Sequence, residues 1–361
     1  MRMTLLAGAA ASGLAMLAAM PASAHDVYAD DHAPIGVMAD HAHKKGEVMF
    51  SLRYMHMDMG GNRIGTDGVS PDIIATTIPN RFAGMPGQPP TLRIVPLDMR
   101  TDMVMLGAMW APSDKVTLMV MANYLEKEMD HRTYQGGMGT SVLGSFRTNP
   151  KGMGDTKIAA LIPLLGHPEG FDRDELTLKL GVSIPTGSVK ETAQVLTPMN
   201  MTPVIRTPYP MQTGSGSWDA EPSLTWKMRR GALGLGLQGA ATIRLERNDA
   251  GYRFGDIYET SGWASYRAAK WISLSARTRY RSTGRVKGMD AAIMGPVQTA
   301  NPDFQGGERI DLIGGVNLVS THGALAGHRL GVEFGAPVYQ DLNGPQMKSR
   351  WFMTLGWQKA F

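Results

Sequence analysis

Segments of about ten residues that alternate apolar with polar or small side chains constrain the fold of this chain more than any other feature. A period of two is typical of a β-strand with two different faces, and about 9 to 11 residues cross a membrane as a tilted strand. The mean hydropathy of -0.16 excludes a bundle of membrane helices, which needs repeated apolar runs of about 20 residues. The twelve alternating segments are residues 47–59, 99–110, 116–128, 154–165, 175–187, 218–226, 232–246, 259–267, 271–282, 309–320, 328–338 and 348–361.

The connections between these segments alternate in length. Residues 60–98 form a long connection and residues 111–115 a tight one, and this rhythm continues with one modest loop at 248–258. Long outer loops, short periplasmic turns and an even number of strands are typical of bacterial outer-membrane barrels. We therefore predict an all-β fold over residues 47–361, a transmembrane antiparallel β-barrel of about 12 strands in the outer membrane of a bacterial cell.

The first 46 residues precede the barrel. Residues 1–24 hold one arginine, an apolar run and a final Ala-Ser-Ala, which predicts a secretory signal peptide that is removed from the mature protein. Residues 25–46 are rich in His and Asp, and we predict that they form a separate periplasmic segment.

The last predicted strand carries apolar side chains on one face and ends in an aromatic residue. This face, which we predict to contact lipid, carries Trp351, Met353, Leu355, Trp357 and Phe361. Lys359 lies on the same face and is expected to reach the interface with its long stem. Such a terminal strand resembles the signal read by the outer-membrane barrel assembly machinery, which we predict as a partner.

Three stretches resemble a known family. They read HAPIGVMADHAHKKGEVMFSLRYMHMDM at 32–59, PYPMQTGSGSWD at 208–219 and GHRLGVEFGAPVYQDLNGPQM at 327–347. Together they resemble Gram-negative outer-membrane proteins loosely grouped with the "meta-pathway of phenol degradation" transporter-like family. The resemblance covers nearly the whole mature chain and carries no catalytic motif. It implies an outer-membrane barrel with a transport function.

Histidine and methionine are concentrated near the start of the chain. Five of the nine histidines lie within residues 25–56. Thioether and imidazole ligands suit copper and other soft metals, and nearby Asp residues offer hard ligands. The alternative is a solvated polar segment that binds nothing. The candidate metal ligands are His41, His43, Met55, His56, Met57 and Met59. If they bind a metal, copper is the expected ion, and no other cofactor is predicted.

Methionines also recur on the predicted inner faces of the first three strands. They would form one thioether patch that relays soft metals, guides apolar solutes or fills gaps in a narrow barrel. The lumen patch on the second and third strands comprises Met103, Met105, Met109, Met119 and Met121.

Charged residues fall on inward positions as well, since a charge on the lipid face costs about 2–4 kcal/mol near the midplane. They would either set ion preference or pair with acidic groups and constrict the lumen. The basic or acidic inward positions are Arg53, Lys157, Lys179, Arg244, Arg277, Arg279, Arg309 and Glu333, and the candidate acidic partners are Asp155, Glu175, Glu259 and Asp311.

The sequence does not favour nucleic-acid binding, thiolate chemistry or dinucleotide binding. The 36 basic and 32 acidic residues are too balanced for a nucleic-acid footprint, and zero cysteines exclude disulfides and thiolate chemistry. Gly234 begins a G-x-G-x-x-G match that lies inside a predicted strand, so the helix needed to hold a phosphate is missing.

We therefore predict a non-enzymatic channel for small solutes, apolar organic or metal-related, selected by lumen charge and a Met-lined wall. The alternatives are a copper-binding or soft-metal-binding outer-membrane protein and a structural barrel that presents its loops.

Overall fold

The alternating segments form β-strands with one face in a lumen and the other face outward. The computed structural model describes residues 28–166 and 172–361, so the predicted signal peptide lies outside the described residues. The strands are β1 Val48–Gly65, β2 Asp67–Val69, β3 Ile94–Ser113, β4 Val116–Tyr134, β5 Val142–Thr148, β6 Lys151–Met153, β7 Thr156–Leu165, β8 Arg173–Ile184, β9 Thr192–Gln194, β10 Val204–Arg206, β11 Asp219–Ala220, β12 Ser223–Arg230, β13 Leu233–Arg244, β14 Tyr252–Arg253, β15 Ile257–Ala269, β16 Ile272–Thr283, β17 Lys287–Gly288, β18 Gly307–Val319 and β19 His328–Ala360.

Within residues 28–166 and 172–361, helical structure is confined to short pieces. The helix α1, Pro71–Thr77, begins after Ser70, whose side chain accepts the Ile73 N–H, and it has proline at its first position. No helix among the residues that the structure describes is long and apolar enough to cross a membrane. Single 3₁₀ turns occur at Tyr209–Met211, Gln298–Ala300, Pro302–Phe304 and Gly323–Leu325.

Eleven of these strands pair antiparallel into a closed sheet. The order is β13, β12, β8, β7, β4, β3, β1, β19, β18, β16 and β15, and β15 pairs again with β13. The first and last strands therefore meet, with Met49 opposite Ala360. Closure leaves no exposed edge, as a membrane-spanning sheet requires.

The last strand folds back on itself. Its first half pairs with β18 and its second half with β1. The Ser349 N–H donates to Oε1 of Gln340 at 2.9 Å, and Nε1 of Trp357 lies 3.0 Å from Nδ1 of His328. These contacts join the two halves of β19, so this strand spans the membrane twice. The sheet then makes twelve passes, as the alternating pattern predicts.

The two faces of the wall have the predicted character. On β1, Leu52 is exposed on the outside, whereas Ser51 and Arg53 are buried in the lumen. Exposed aliphatic side chains such as Leu106 and Val120 continue this outer band. Exposed aromatic rings border the band near its two ends, with Trp110, Tyr266 and Trp271 at one level and Tyr258, Tyr280 and Tyr339 at the other. This apolar band between aromatic borders is the surface of an outer-membrane barrel.

Short turns and long loops lie at opposite ends of the barrel. The turns at 113–116, 230–233 and 269–272 lie at the same end as the pairing of β1 with the C-terminus. The long connections lie at the other end, which is the extracellular one by the usual arrangement of these barrels. There the loops pack their own apolar core, made of Ile94, Val189, Tyr209, Tyr252, Val286, Ile293, Val297 and Ala300.

Candidate functional site in the barrel lumen

Residues 28–46 lie inside the barrel, in contrast to the predicted separate periplasmic segment. Ile35 and Val37 are buried, with 1% and 3% of their surfaces exposed. Gly331 and Gly356 of β19 make room for Ile35, since a Cβ on either glycine would lie within 2.6 Å of its side chain. The sequence offered no periodic signal for this segment, because its partners are spread over the whole wall. We call residues 28–46 the lumen segment.

Hydrogen bonds connect the lumen segment with strands around the barrel. The Gly36 N–H donates to Oε2 of Glu333 on β19 at 2.8 Å, and the His43 N–H donates to Oγ1 of Thr117 on β4 at 2.8 Å. The Met38 carbonyl accepts from Gln238 on β13 at 3.0 Å. The segment thus crosses the lumen and does not follow a single strand.

Ion pairs fix the first turn of the lumen segment. The Asp31 carboxylate lies 2.5 Å from Nη1 of Arg229 on β12 and 3.3 Å from Nη2 of Arg173 on β8. Oδ1 of Asp30 lies 3.3 Å from Nη1 of Arg267 on β15. Asp30 and Asp31 therefore neutralise basic side chains of the wall. They are not solvated, unlike the polar segment of the alternative above.

Seven of the eight predicted inward charges form ion pairs, in accord with the constriction alternative. Both Arg279 and Arg309 contact the Asp311 carboxylate, which is fully buried. Lys157 and Lys179 share Glu221, which is not among the four predicted acidic partners. Arg277 pairs with Glu333, Arg244 with Asp219, and Lys227 with Glu175.

An extracellular loop enters the lumen from the other end. Met211 is fully buried and packs with Met99, Met129 and Met347, next to Met59. Nζ of Lys127 on β4 donates to the Pro210 carbonyl at 2.8 Å and also to the Gln212 carbonyl. The inner wall therefore holds this loop through its backbone.

The predicted methionine patch lies on the inner wall. Met105, Met109 and Met121 are buried with 4–7% of their surfaces exposed, and Met119 and Met103 are partly buried. Met109 packs with Met49, Leu161 and Ala39 of the lumen segment. The patch thus forms part of the surface against which the lumen segment packs.

The candidate metal ligands are divided among three places. His41 and His43 lie in the lumen segment, with ring centres 4.8 Å apart. His56 lies on the outer face of β1, where its Nδ1 is 2.8 Å from Asp102 and its ring is 4.9 Å from the ring of Trp351. Met55, Met57 and Met59 alternate with His56, so the wall separates their side chains from its ring. The structure instead adds His32 and Asp40 to His41.

Lys359 has the interfacial position expected from its long stem. Its Nζ donates to the Ala326 carbonyl in the neighbouring turn at 2.6 Å, and it lies 5.3 Å from the centre of the Phe361 ring. Leu355 on the same face is exposed, whereas Thr354 and Gln358 are buried in the lumen.

Comparison with known proteins supports the fold. The crystal structure of an outer membrane channel from Pseudomonas putida F1 matches 91% of this chain and 100% of its own, with a TM-score of 0.55 and 15% identity. A Pseudomonas aeruginosa FadL homologue matches 88% of this chain and 90% of its own at 10% identity, with a TM-score of 0.42. No family model and no curated protein matches the chain. The protein is an outer-membrane β-barrel of the bacterial cell.

Proposed function

We propose that this protein is an outer-membrane channel for small solutes, with a lumen that is closed by the lumen segment and by the loop around Met211. One observation carries the proposal: polar contacts hold both of these parts to the wall. Asp31 pairs with Arg229, and Lys127 donates to the loop backbone. Such contacts exchange with water more readily than a continuous apolar core. A barrel filled in this way can open without unfolding its wall.

The inner wall supports selection by size and polarity. Met105, Met109 and Met121 supply flexible, polarizable side chains that adapt to apolar groups of a solute. Ion pairs such as Lys157 with Glu221 offer polar contacts to a solute, and the net charge of each pair is close to zero. We propose small organic solutes with apolar and polar parts as the transported class. Passage involves no bond breaking, so no catalytic residue is assigned.

Planar bilayer recordings test this function. The refolded chain starting at residue 25 is compared with a variant that starts at residue 47, in nitrate electrolyte. We expect small, infrequent conductance steps from the longer chain and larger, longer steps from the shorter one. Silver added to the shorter variant should block the steps, because silver binds thioethers. The matched control carries leucine at Met105, Met109 and Met121 and should need more silver for the same block, since lumen methionines such as Met99 and Met129 remain.

The competing functions give different results. A structural barrel that presents loops would show no discrete conductance steps in either form. Resistance to denaturation on gels would show that such a silent barrel is folded. Steps of equal size from both forms would contradict a closing role for the lumen segment.

Recruitment by the barrel assembly machinery through the C-terminal strand accords with the exposed apolar face of that strand, and it belongs to the same proposal.

A further inference from the structure

Three histidines and a carboxylate meet within the lumen segment. One ligand atom each from His32, Asp40 and His41 lies within 4.8 Å of the other two. The ring centres of His32 and His41 are 4.3 Å apart, and the ring of His43 follows 4.8 Å beyond His41. The residues come from two turns of one short segment, so this cluster forms only when the segment folds inside the barrel.

Each of the three imidazole rings has a buried nitrogen without a hydrogen-bond partner among the described residues. These atoms are Nδ1 of His32, Nε2 of His41 and Nε2 of His43. A buried polar atom without a partner costs about 1–3 kcal/mol, and three in one cluster are unusual. The cluster is therefore incomplete as a set of hydrogen bonds.

Carboxylates determine which kind of partner is missing. Nδ1 of His41 lies 2.9 Å from Oδ1 of Asp40, and Nδ1 of His43 lies 3.2 Å from Oε2 of Glu47. A carboxylate accepts, so each Nδ1 carries the proton and each Nε2 presents a lone pair. Metal-binding histidines are commonly held by a carboxylate in this manner. The missing partner is therefore a group that can take this lone pair, either a metal ion or a hydrogen-bond donor.

The charged groups around the three rings lie close to the cluster. Nζ of Lys227 lies 3.4 Å from Oδ2 of Asp40 and 2.9 Å from Oε2 of Glu175. The carboxylates of Asp40 and Glu175 thus lie beside this lysine, and Glu47 lies beside His43.

We propose that His32 and His41, with Asp40 holding the His41 ring and His43 next along the segment, form a site for a divalent transition-metal ion inside the barrel, of the class that includes Zn²⁺ and Cu²⁺. Imidazole with carboxylate suits these ions, whereas Cu(I) prefers the thioethers of Met55, Met57 and Met59, which lie elsewhere. The ion would join His32 to His41 and so close the stretch that contains Ile35 and Val37. It would thereby fasten the lumen segment to itself.

Zinc binding to the refolded, tag-free chain starting at residue 25 tests the proposal. After chelator treatment, calorimetry and equilibrium dialysis with Zn²⁺ alone should show one ion per chain, bound at about 10 µM or tighter. The double variant His32→Ala with His41→Ala should lose at least about 100-fold in affinity. Glu47→Gln should lose about 10-fold, since Glu47 holds the ring of His43. His56→Ala, on the outer face, is the matched control and should bind like the parent chain.

Two results would overturn the site. One is a folded parent chain that binds no Zn²⁺ at about 100 µM. The other is a double variant that binds as tightly as the parent, which would locate the ion elsewhere, for instance at His25, present in every variant. Co²⁺ absorption provides a second readout on the parent chain alone, because nitrogen ligands in a tetrahedral site give intense visible bands. Weak bands typical of a hydrated ion would contradict the proposal. None of these readouts requires that the barrel conducts.

Discussion

Arg277 and Glu333 form a two-point ion pair that passes over β18 inside the lumen. Nε of Arg277 lies 2.9 Å from Oε1 of Glu333, and Nη2 lies 2.8 Å from Oε2. The strand between them has Gly315 opposite Glu333, so no side chain interrupts the pair. The same carboxylate accepts the Gly36 N–H. One buried pair therefore connects two wall strands with the lumen segment.

Glu333→Gln should destabilise the barrel by about 3 kcal/mol, because it leaves Arg277 buried without its carboxylate. Urea unfolding in lipid vesicles, followed by tryptophan fluorescence, measures this loss. Asp174→Asn is the control, since its pair with Arg230 is about half exposed and should contribute less than about 1 kcal/mol. Equal losses in the two variants would contradict the anchoring role of the buried pair.

Gly36→Ala should displace the lumen segment without altering the wall. A Cβ at this position would lie 2.1 Å from Oε2 of Glu333 and 2.6 Å from Nη2 of Arg277. Hydrogen exchange of peptides covering residues 28–46 should rise at least about tenfold, whereas the strands keep their protection. Gly68→Ala is the matched control, because a Cβ there meets nothing within 4 Å. Unchanged exchange in Gly36→Ala would show that the ion pair yields without releasing the segment.

Lys127→Met should loosen the loop around Met211. The substitution keeps most of the side-chain volume and removes the two bonds to the Pro210 and Gln212 carbonyls. Bonds from a charged donor contribute about 1.5–3 kcal/mol, so the loop should open at least about tenfold more often. Bilayer recordings would show this as a higher frequency of conductance steps. Lys115→Met, at an exposed turn on the opposite end, should leave the frequency unchanged.

Alkaline pH should loosen the extracellular loop core. Burial raises the pKa of Tyr252 and of Tyr209 above the usual 10.0, and the two rings lie 4.8 Å apart. Both phenols are protonated below pH 10 whether the loops are packed or open. Above it, only the open form ionises freely, so the stability of the packed loops is lost as the pH rises toward the raised pKa.

Tyrosinate absorbance together with hydrogen exchange of the loops checks this dependence. Tyr252→Phe keeps the ring packing and should shift the onset of loop opening to higher pH. Tyr266→Phe, on the exposed outer face, should leave the onset unchanged. Loop opening that begins below pH 9 in the parent chain would contradict the assignment.

The strands of the wall could be predicted from sequence because the alternation of apolar and polar side chains is a property of each strand by itself. Alternation within β1 places Leu52 outside and Arg53 inside, and each strand repeats this choice independently of its neighbours. The observed strands begin and end a few residues from the predicted ones and extend at the loop end, as β1 does to Gly65. Those extensions depend on pairing between strands, which alternation alone does not reveal.

The contents of the lumen could not be predicted in the same way. Asp31 pairs with Arg229, 198 residues later, and Asp40 approaches Lys227. Such contacts carry no periodic pattern, and an acidic stretch before a barrel has the composition of a solvated tail. The concentration of histidines near the start of the chain predicts a metal site, but strand alternation separates His56 from Met55 and Met57. Only the folded segment brings His32 close to His41.

The pairing of β1 with the second half of β19 has a consequence for the order of folding. Ser51 meets Gln358 and Leu52 meets Trp357, so the seam that closes the sheet joins the two ends of the chain. The long sequence separation of this seam makes it slow to find, so we expect it to form last. The lumen segment directly precedes β1, and we therefore expect it to pack against the sheet before the seam closes.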